Sequence, residues 1–477
     1  MTTVLAIDQG TSGTKAVVVD GQGATLAIVE AALHPHYGDG GAVEQDPRDL
    51  LASVMDTGRR AVAAAGRPID AVALANQGET VLAWDPATGA PLTPAIVWQD
   101  RRAEGICRAL SDNAPWVAQR TGLVLDPYFS APKMAWLRAN LTRQGVVTTV
   151  DTWLVHHLTG QFVTDAATAS RSLLTDVDAV AWDPELLDLF GLGAEELPRI
   201  VRCDEIVGTT RAFGPEVPVV GLIVDQQAAL LAEACWDPGA AKCTYGTGAF
   251  LLANTGETAL RSTAGLTSSV AWHTATQTPY CVDGQVYTAA SAIRWIKNLG
   301  FIQSASDLDS VAATESDGTL CVPALAGLAA PWWRPDATAT FTGMTLSTRT
   351  EHLVLAVLQG IAAQVATLCT LVTSDLGTPL TRLRVDGGLT RSRTLMQAQA
   401  DLAQIPIDVY PSPHATPLGA AALARLALNP RLTLAEAVGR WQPSAVYEPT
   451  WSADRAGEYL SSWTALAEAT TTKESRK

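Results

Sequence analysis

The sequence predicts an α/β protein of two similar halves that share a cleft. Three observations carry that reading. The first is the opening stretch, residues 4–20 (VLAIDQGTSGTKAVVVD), in which an apolar run leads to Asp8, a small hydroxyl-rich segment follows, and Lys15 opens a second apolar run. Two β-rich runs joined in this way read as a hairpin. The second is an echo of that hairpin at residues 241–254 (AKCTYGTGAFLLAN), where Thr244, Gly246, Thr247 and Gly248 repeat the chemistry of residues 10–14. The third is a set of short apolar runs that end in polar or glycine residues, where α/β folds hold their ligands. These runs precede Asn76-Gln77-Gly78-Glu79, Asp225-Gln226-Gln227 and Asp386-Gly387-Gly388.

Length and composition set the outer bounds. A chain of 477 residues exceeds the size at which one core keeps growing, which predicts two domains. The division falls at residues 1–235 and 236–477, with a polar, frayed tail from about residue 470. A hydrophobic content of 47% with 17% charged residues is globular, and a net charge of −15 argues against nucleic acid or an anionic membrane as partner. No run of about 18 apolar residues is evident, so no membrane span is expected. The N-terminus runs straight into a strand without a secretory signal. The seven cysteines are scattered without CxxC spacing, as reduced thiols of a cytoplasmic protein would be.

Each element then has its own justification. Glycines in the first hairpin let several backbone N–H groups point at one anion. Thr11 and Ser12 add donors, Lys15 adds a positive charge, and Asp8 is placed to hold a hydrated divalent cation. That is the chemistry of nucleotide phosphate; a plain glycine turn between buried strands is the simpler alternative. Residues 24–30 read as a third strand, and Asp46-Pro47 opens a helix as cap and first turn. Trp98, at the end of the apolar run 95–98, suits a flat wall over a small polar ligand, as carbohydrate faces pack well on aromatic rings, or else the core. Asp126 and Tyr128 lie in a loop able to offer a phenol. Residues 149–153 read as a strand turning into a helix, and residues 165–171 (DAATASR) as a polar turn.

Asp225, where a buried strand meets a helix, can either accept a proton from a bound hydroxyl or cap the helix. Residues 287–299 and the mainly apolar 350–376 read as helical. Gly387 and Gly388 suit a nucleotide passing close to the backbone, and the small-residue helix from Thr416 through Gly419 can face a phosphate. Tight packing through glycine explains these last two as well.

In this order the motifs DQGTSGTKAVV, NQGE, IVWQDRR, TGLVLDPYFS, VDTWL, DQQAAL, TYGTGAF and RVDGG make the chain resemble the FGGY family of carbohydrate kinases, and within it the glycerol kinases, over residues 4–424. The resemblance implies two ribonuclease-H-like domains, of the actin and hexokinase type, with the active site in the cleft between them. It implies ATP and Mg²⁺, the metal held by Asp8 through water and by Asp225. Thr11, Ser12, Gly13 and Lys15 would contact the phosphates. Thr247, Gly248, Ala290, Arg294, Gly387, Gly388 and Gly419 would form the rest of the nucleotide site. Asp225 would be the catalytic base, and Gly78, Glu79, Trp98, Tyr128, Gln226 and Phe250 would line the acceptor pocket with it.

Several positions depart from the family. Gly78 stands where glycerol kinases usually carry an arginine that donates to the acceptor's hydroxyls, and Arg101 is a possible substitute for it. Ala290 and Arg294 replace a glycine and a glutamine. The loop that binds fructose 1,6-bisphosphate in some relatives has no counterpart in residues 208–218, nor does a phosphorylated histidine in residues 231–235. The expected activity is ATP-dependent phosphorylation of a terminal hydroxyl on a small polyol, glycerol or a close relative. A tetritol, pentitol or keto-sugar acceptor is the alternative, and an ATP-driven binding protein of the actin or heat-shock chaperone type the remote one. A homodimer or homotetramer is open.

Overall fold

The structure, a computed structural model, describes residues 2–471. The opening hairpin forms as the sequence predicts: β1 (Val4–Gly10) and β2 (Gly13–Val19) pair antiparallel with Gly10 opposite Gly13, and β3 (Thr25–Ala32) pairs with β2. Helix α1 (Pro47–Ala65) begins at Asp46, whose carboxylate accepts from the Arg48 N–H. β4 (Ala71–Asn76), β5 (Gly208–Thr210) and β6 (Val217–Val224) complete a sheet in the order β5-β6-β4-β1-β2-β3. β1, β4 and β6 run parallel and are buried almost throughout, which is why they read as continuous rather than alternating apolar runs.

The second half repeats this plan. β7 (Ala241–Tyr245) and β8 (Ala249–Gly256) are the echo hairpin, followed by β9 (Thr267–Val270), β10 (Tyr280–Val286), β11 (Leu383–Asp386), β12 (Ile407–Val409) and β13 (Ala445–Tyr447). The order is β9-β10-β8-β7-β11-β12-β13. From β3 in the first sheet and from β10 in the second, the pairings run antiparallel, antiparallel, parallel, parallel, antiparallel. The short echo in sequence therefore marks a repeat of topology. The fold is a two-domain α/β architecture.

Residues 165–171 differ from the expected polar turn. They hold a short helix, α2 (Ala166–Ala169), capped by Asp165, and the whole stretch is buried. Its polar side chains find their partners inside the protein, Arg171 above all, so water is not needed to satisfy them. Helix α3 (Asp225–Ala232) follows β6 directly, α4 (Ala290–Asn298) lies in the second half, and α5 (Thr350–Leu376) runs through the second core. By length and composition α5 is apolar enough to cross a membrane, contrary to the sequence expectation, but 83% of its most apolar window is buried within the protein.

Helix α6 (Ala415–Leu428) belongs by sequence to the second half yet packs on the first sheet, where Ala420 to Ala424 share a core with Val4, Ala6, Ala73 and Val220. Two glycines permit that approach. Gly221 bends β6 at φ +75°, where a Cβ would lie 2.6 Å from the Ala420 carbonyl, and a Cβ on Gly419 would lie 1.9 Å from the Ala228 carbonyl of α3. No side chain fits at either distance. All seven cysteines are buried and free. The last helix, Ala453–Thr471, takes in the first residues of the tail expected to fray; residues 472–477 lie outside the described residues.

Candidate functional site

The two hairpins and the strand ends face one another across a cleft with a cavity of about 260 Å³. Asp8, Thr11, Ser12, Lys15, Gly78, Glu79, Trp98, Tyr128, Asp225, Gln226, Thr247 and Phe250 all line it, so residues far apart in sequence meet in one place. Parallel strands explain this, because β1, β4 and β6 end at the same sheet edge and deliver Asp8, the 76–79 turn and Asp225 side by side.

Partly buried hydrogen bonds fix the first hairpin to its surroundings. The Trp98 indole N–H donates to Thr11 Oγ1 at 2.8 Å, and Thr11 Oγ1 donates to Gln77 Oε1 at 3.0 Å. Gln45 Nε2 donates to the Thr11 carbonyl at 2.8 Å and its Oε1 accepts from Gln77 Nε2 at 2.8 Å. The Trp98 ring meets Tyr128 at 5.5 Å and Phe250 at 5.8 Å between centroids, edge to face in both cases. These three rings form an aromatic wall. The loop carrying Tyr128 is held from behind by Lys133, on the helix Ser130–Asn140, whose ammonium donates to the carbonyls of Pro127, Tyr128 and Phe129 at 2.9, 2.5 and 2.6 Å.

Beside the wall, with the Arg171 guanidinium 5.8 Å from the Tyr128 ring centroid, lies a buried ion triad. Arg171 Nε meets Glu79 Oε1 at 2.5 Å and its Nη1 meets Asp283 Oδ1 at 2.8 Å. Glu79 adopts φ +57°, the left-handed region that a residue of this size seldom occupies, and the guanidinium holds it there. Burial alone would pull the Arg171 guanidinium down, but Asp283 and Glu79 keep it well above its usual value. Asp283 also accepts from Gln285 Nε2.

Asp225 opens α3, with Oδ1 accepting from the Gln226 N–H at 2.7 Å. Burial, and then the nearby charges of Asp8 and Glu79, push its carboxyl up to about 7, against a downward pull from Lys242. Lys242 Nζ donates to Gln226 Oε1 at 2.6 Å and Thr244 Oγ1 at 2.7 Å, tying α3 to the second hairpin. A carboxylate that titrates near neutrality, at the edge of a cavity lined with hydroxyls and aromatic rings, can take a proton from a bound alcohol. Asp8 sits 3.8 Å from Lys15, and its carboxyl is raised by burial, lowered by Lys15 and raised again by Asp386.

The remaining predicted residues stand outside this cavity. Gly13 is packed in the hairpin, Gly248 backs onto the Val286 carbonyl, and Gly387 lies over Tyr245. The Ala290 N–H donates to the Gly246 carbonyl, Arg294 is on the exposed face of α4, and Gly388 faces open space. Gly419 is buried against α3, the packing alternative weighed from the sequence. Arg101 does not reach the cleft either, because it pairs with Asp126 at 2.8 Å. Sequence reasoning missed Arg171, Asp283 and Lys242. The last two are charged residues inside mainly apolar strands, and a buried charge needs a partner. That signal was available for both.

The comparisons with known proteins agree with this geometry. Residues 3–232 match the N-terminal domain of the FGGY family of carbohydrate kinases and residues 241–428 its C-terminal domain. A glycerol kinase of Bordetella parapertussis is 40% identical over 96% of this chain and 95% of its own. The crystal structure of Plasmodium falciparum glycerol kinase with ADP superposes with a TM-score of 0.91 at 32% identity, covering 99% of both chains. A ligand-bound xylulose kinase from Lactobacillus acidophilus shares the fold, with a TM-score of 0.88 at 21% identity over 99% of both chains. Two hairpins, a raised carboxylate between them and matches spanning both halves lead to one conclusion: the chain belongs to the FGGY family of carbohydrate kinases, ATP-dependent phosphotransferases.

Proposed function

We propose that the chain transfers the terminal phosphoryl group of ATP to a terminal hydroxyl of a small polyol, glycerol or a close relative. The observation that carries this reading is Asp225, a carboxyl raised to about 7, set between the Gly/Thr hairpins and an aromatic wall. Phosphoryl transfer needs positioning and charge stabilisation more than covalent chemistry. Glu79 accepts from the acceptor's hydroxyls while Trp98, Tyr128 and Phe250 pack on its C–H face. Asp225 orients the reacting hydroxyl and takes its proton as the new P–O bond forms. Backbone N–H groups of the two hairpins, with Thr11, Ser12, Lys15 and Thr247, hold the phosphates. Gly10 and Gly246 of the two hairpins, with Gly388 beyond the cavity, border the rest of the nucleotide, and the two domains divide at residues 235 and 236.

The donor set fits Mg²⁺. Asp8 and Asp225 offer hard oxygen ligands, and among the described residues no group of three or more His, Cys, Asp or Glu forms a metal cage. Mg²⁺ suits such a site, since it binds through one or two carboxylates, water and substrate phosphates. When bound it offsets charge on the terminal phosphates. A net charge of −15 supports a small-molecule partner over nucleic acid, and seven buried free thiols support a cytoplasmic setting.

A panel of glycerol, erythritol, ribitol and xylulose, read as ADP release by the purified protein, tests the acceptor. Preference for glycerol supports the reading; a clear preference for a five-carbon acceptor sinks it. Gly78 is the observation that favours this second reading, because a lost arginine removes hydrogen bonds to a short acceptor.

A further inference from the structure

Gly78 leaves a gap in sequence terms, and in the structure one side chain, Val224, borders it closely. A Cβ built on Gly78 lies 3.0 Å from Val224 Cγ2, closer than packed side chains ordinarily come. The closeness follows from topology. β4 and β6 run parallel with Asn76 opposite Val224, so the turn after Asn76 folds over the Val224 side chain. The φ of Gly78 is outside the left-handed region, so space alone is what a larger residue lacks there. Val224 is 2% exposed, lines the cavity and directly precedes Asp225. A β-branched side chain on a buried strand has little rotamer freedom with which to move aside.

Resting on the polyol-kinase reading above, we propose that Val224 determines acceptor size. Its methyl groups take up the volume beside Gly78 and keep the pocket short. Arg171, anchored at 2.5 Å on Glu79, the residue next to Gly78, lines the same cavity with its guanidinium. The loss of a side chain at residue 78 therefore does not lengthen the pocket. Residues 78 and 224 form a coupled pair in which only one can be large.

The test is kcat/KM for glycerol, erythritol and ribitol in the wild type, Val224→Ala, Val224→Leu, Gly78→Arg and the double variant Gly78→Arg/Val224→Ala. ATP affinity and melting temperature serve as folding controls. Val224→Ala is expected to raise the ribitol-to-glycerol ratio by about tenfold or more, the effect of one or two methyl groups in a specificity pocket. Val224→Leu moves the ratio the other way and carries the test if the alanine variant does not fold. Gly78→Arg is expected to harm glycerol use about tenfold less in the Val224→Ala background than alone. Ratios that stay within about twofold in both Val224 variants, together with the same Gly78→Arg effect in both backgrounds, overturn the assignment. A wild type that phosphorylates none of the three overturns the polyol-kinase reading itself; an active wild type with unmoved ratios and the same Gly78→Arg effect in both backgrounds overturns Val224 alone.

Discussion

Arg171 and Asp283 form an ion pair across the cleft, 2.8 Å from Nη1 to Oδ1, with side chains 5% and 4% exposed. One comes from the region matching the N-terminal family domain and the other from the C-terminal one, so the pair binds the two halves where Glu79 meets the acceptor pocket. Removing one member of a buried pair strands the other charge, at a cost of about 3–5 kcal/mol. Glu79 still meets Arg171 at 2.5 Å, so Asp283→Ala should lower stability by less than that, about 1–3 kcal/mol in urea unfolding, and raise the acceptor KM more than the ATP KM. Asp283→Asn should recover part of both. A stability change under about 0.5 kcal/mol, the level of an exposed pair, contradicts the role.

Asp225→Asn keeps the size of the side chain and removes the base. Turnover should fall by about 10²–10⁴-fold with ATP binding retained, measured by steady-state kinetics and nucleotide titration. Retention of more than about a tenth of wild-type turnover takes Asp225 out of the proton transfer.

The same carboxyl predicts two opposed pH effects. Activity needs the ionised form, so kcat/KM should rise with pH and level off above about 7. Stability runs the other way. An aspartate ordinarily titrates near 3.8, so between that pH and about 7 the folded chain holds a proton that the unfolded chain has lost, and stability falls as pH rises through the window. Asp225→Asn should remove this penalty, stabilising the protein by up to about 4 kcal/mol above the window and by much less below it. Thermal melts at both ends of the window decide it; equal gains at the two ends contradict the raised carboxyl.

Trp98 joins the aromatic wall to the phosphate hairpin through its 2.8 Å bond to Thr11. Trp98→Phe keeps a ring and loses the donor, so kcat/KM should drop by about fivefold, near 1 kcal/mol. Trp98→Ala should lose several times more. Equal effects of the two variants would mean that the ring itself contributes nothing.

The parts legible in the sequence were those with local signatures. The hairpin at residues 4–20 and its echo were readable because glycine, hydroxyl and carboxylate residues punctuate apolar runs, and α1 because Asp46-Pro47 marks its start. The family motifs gave most of the cavity lining. The triad was hidden for a physical reason. Arg171 sits in a stretch whose composition suits a solvent turn, and only tertiary packing shows that its partners, 92 residues before it and 112 after it, are within the protein. The seating of α6 on the first sheet is likewise invisible locally, because Gly221 and Gly419 act through backbone contacts between segments far apart in the chain. The meaning of Gly78 changed most. The sequence shows a lost arginine, whereas the fold sets Val224 Cγ2 3.0 Å from where a Cβ at residue 78 would lie.

The most direct test is phosphorus NMR of the wild-type protein with ATP, Mg²⁺ and glycerol. A phosphomonoester resonance that grows in step with ADP, and that is absent without glycerol, is the predicted result. ADP and inorganic phosphate formed at the same rate with or without any polyol would contradict it, and would make the cleft the site of an ATPase with no acceptor.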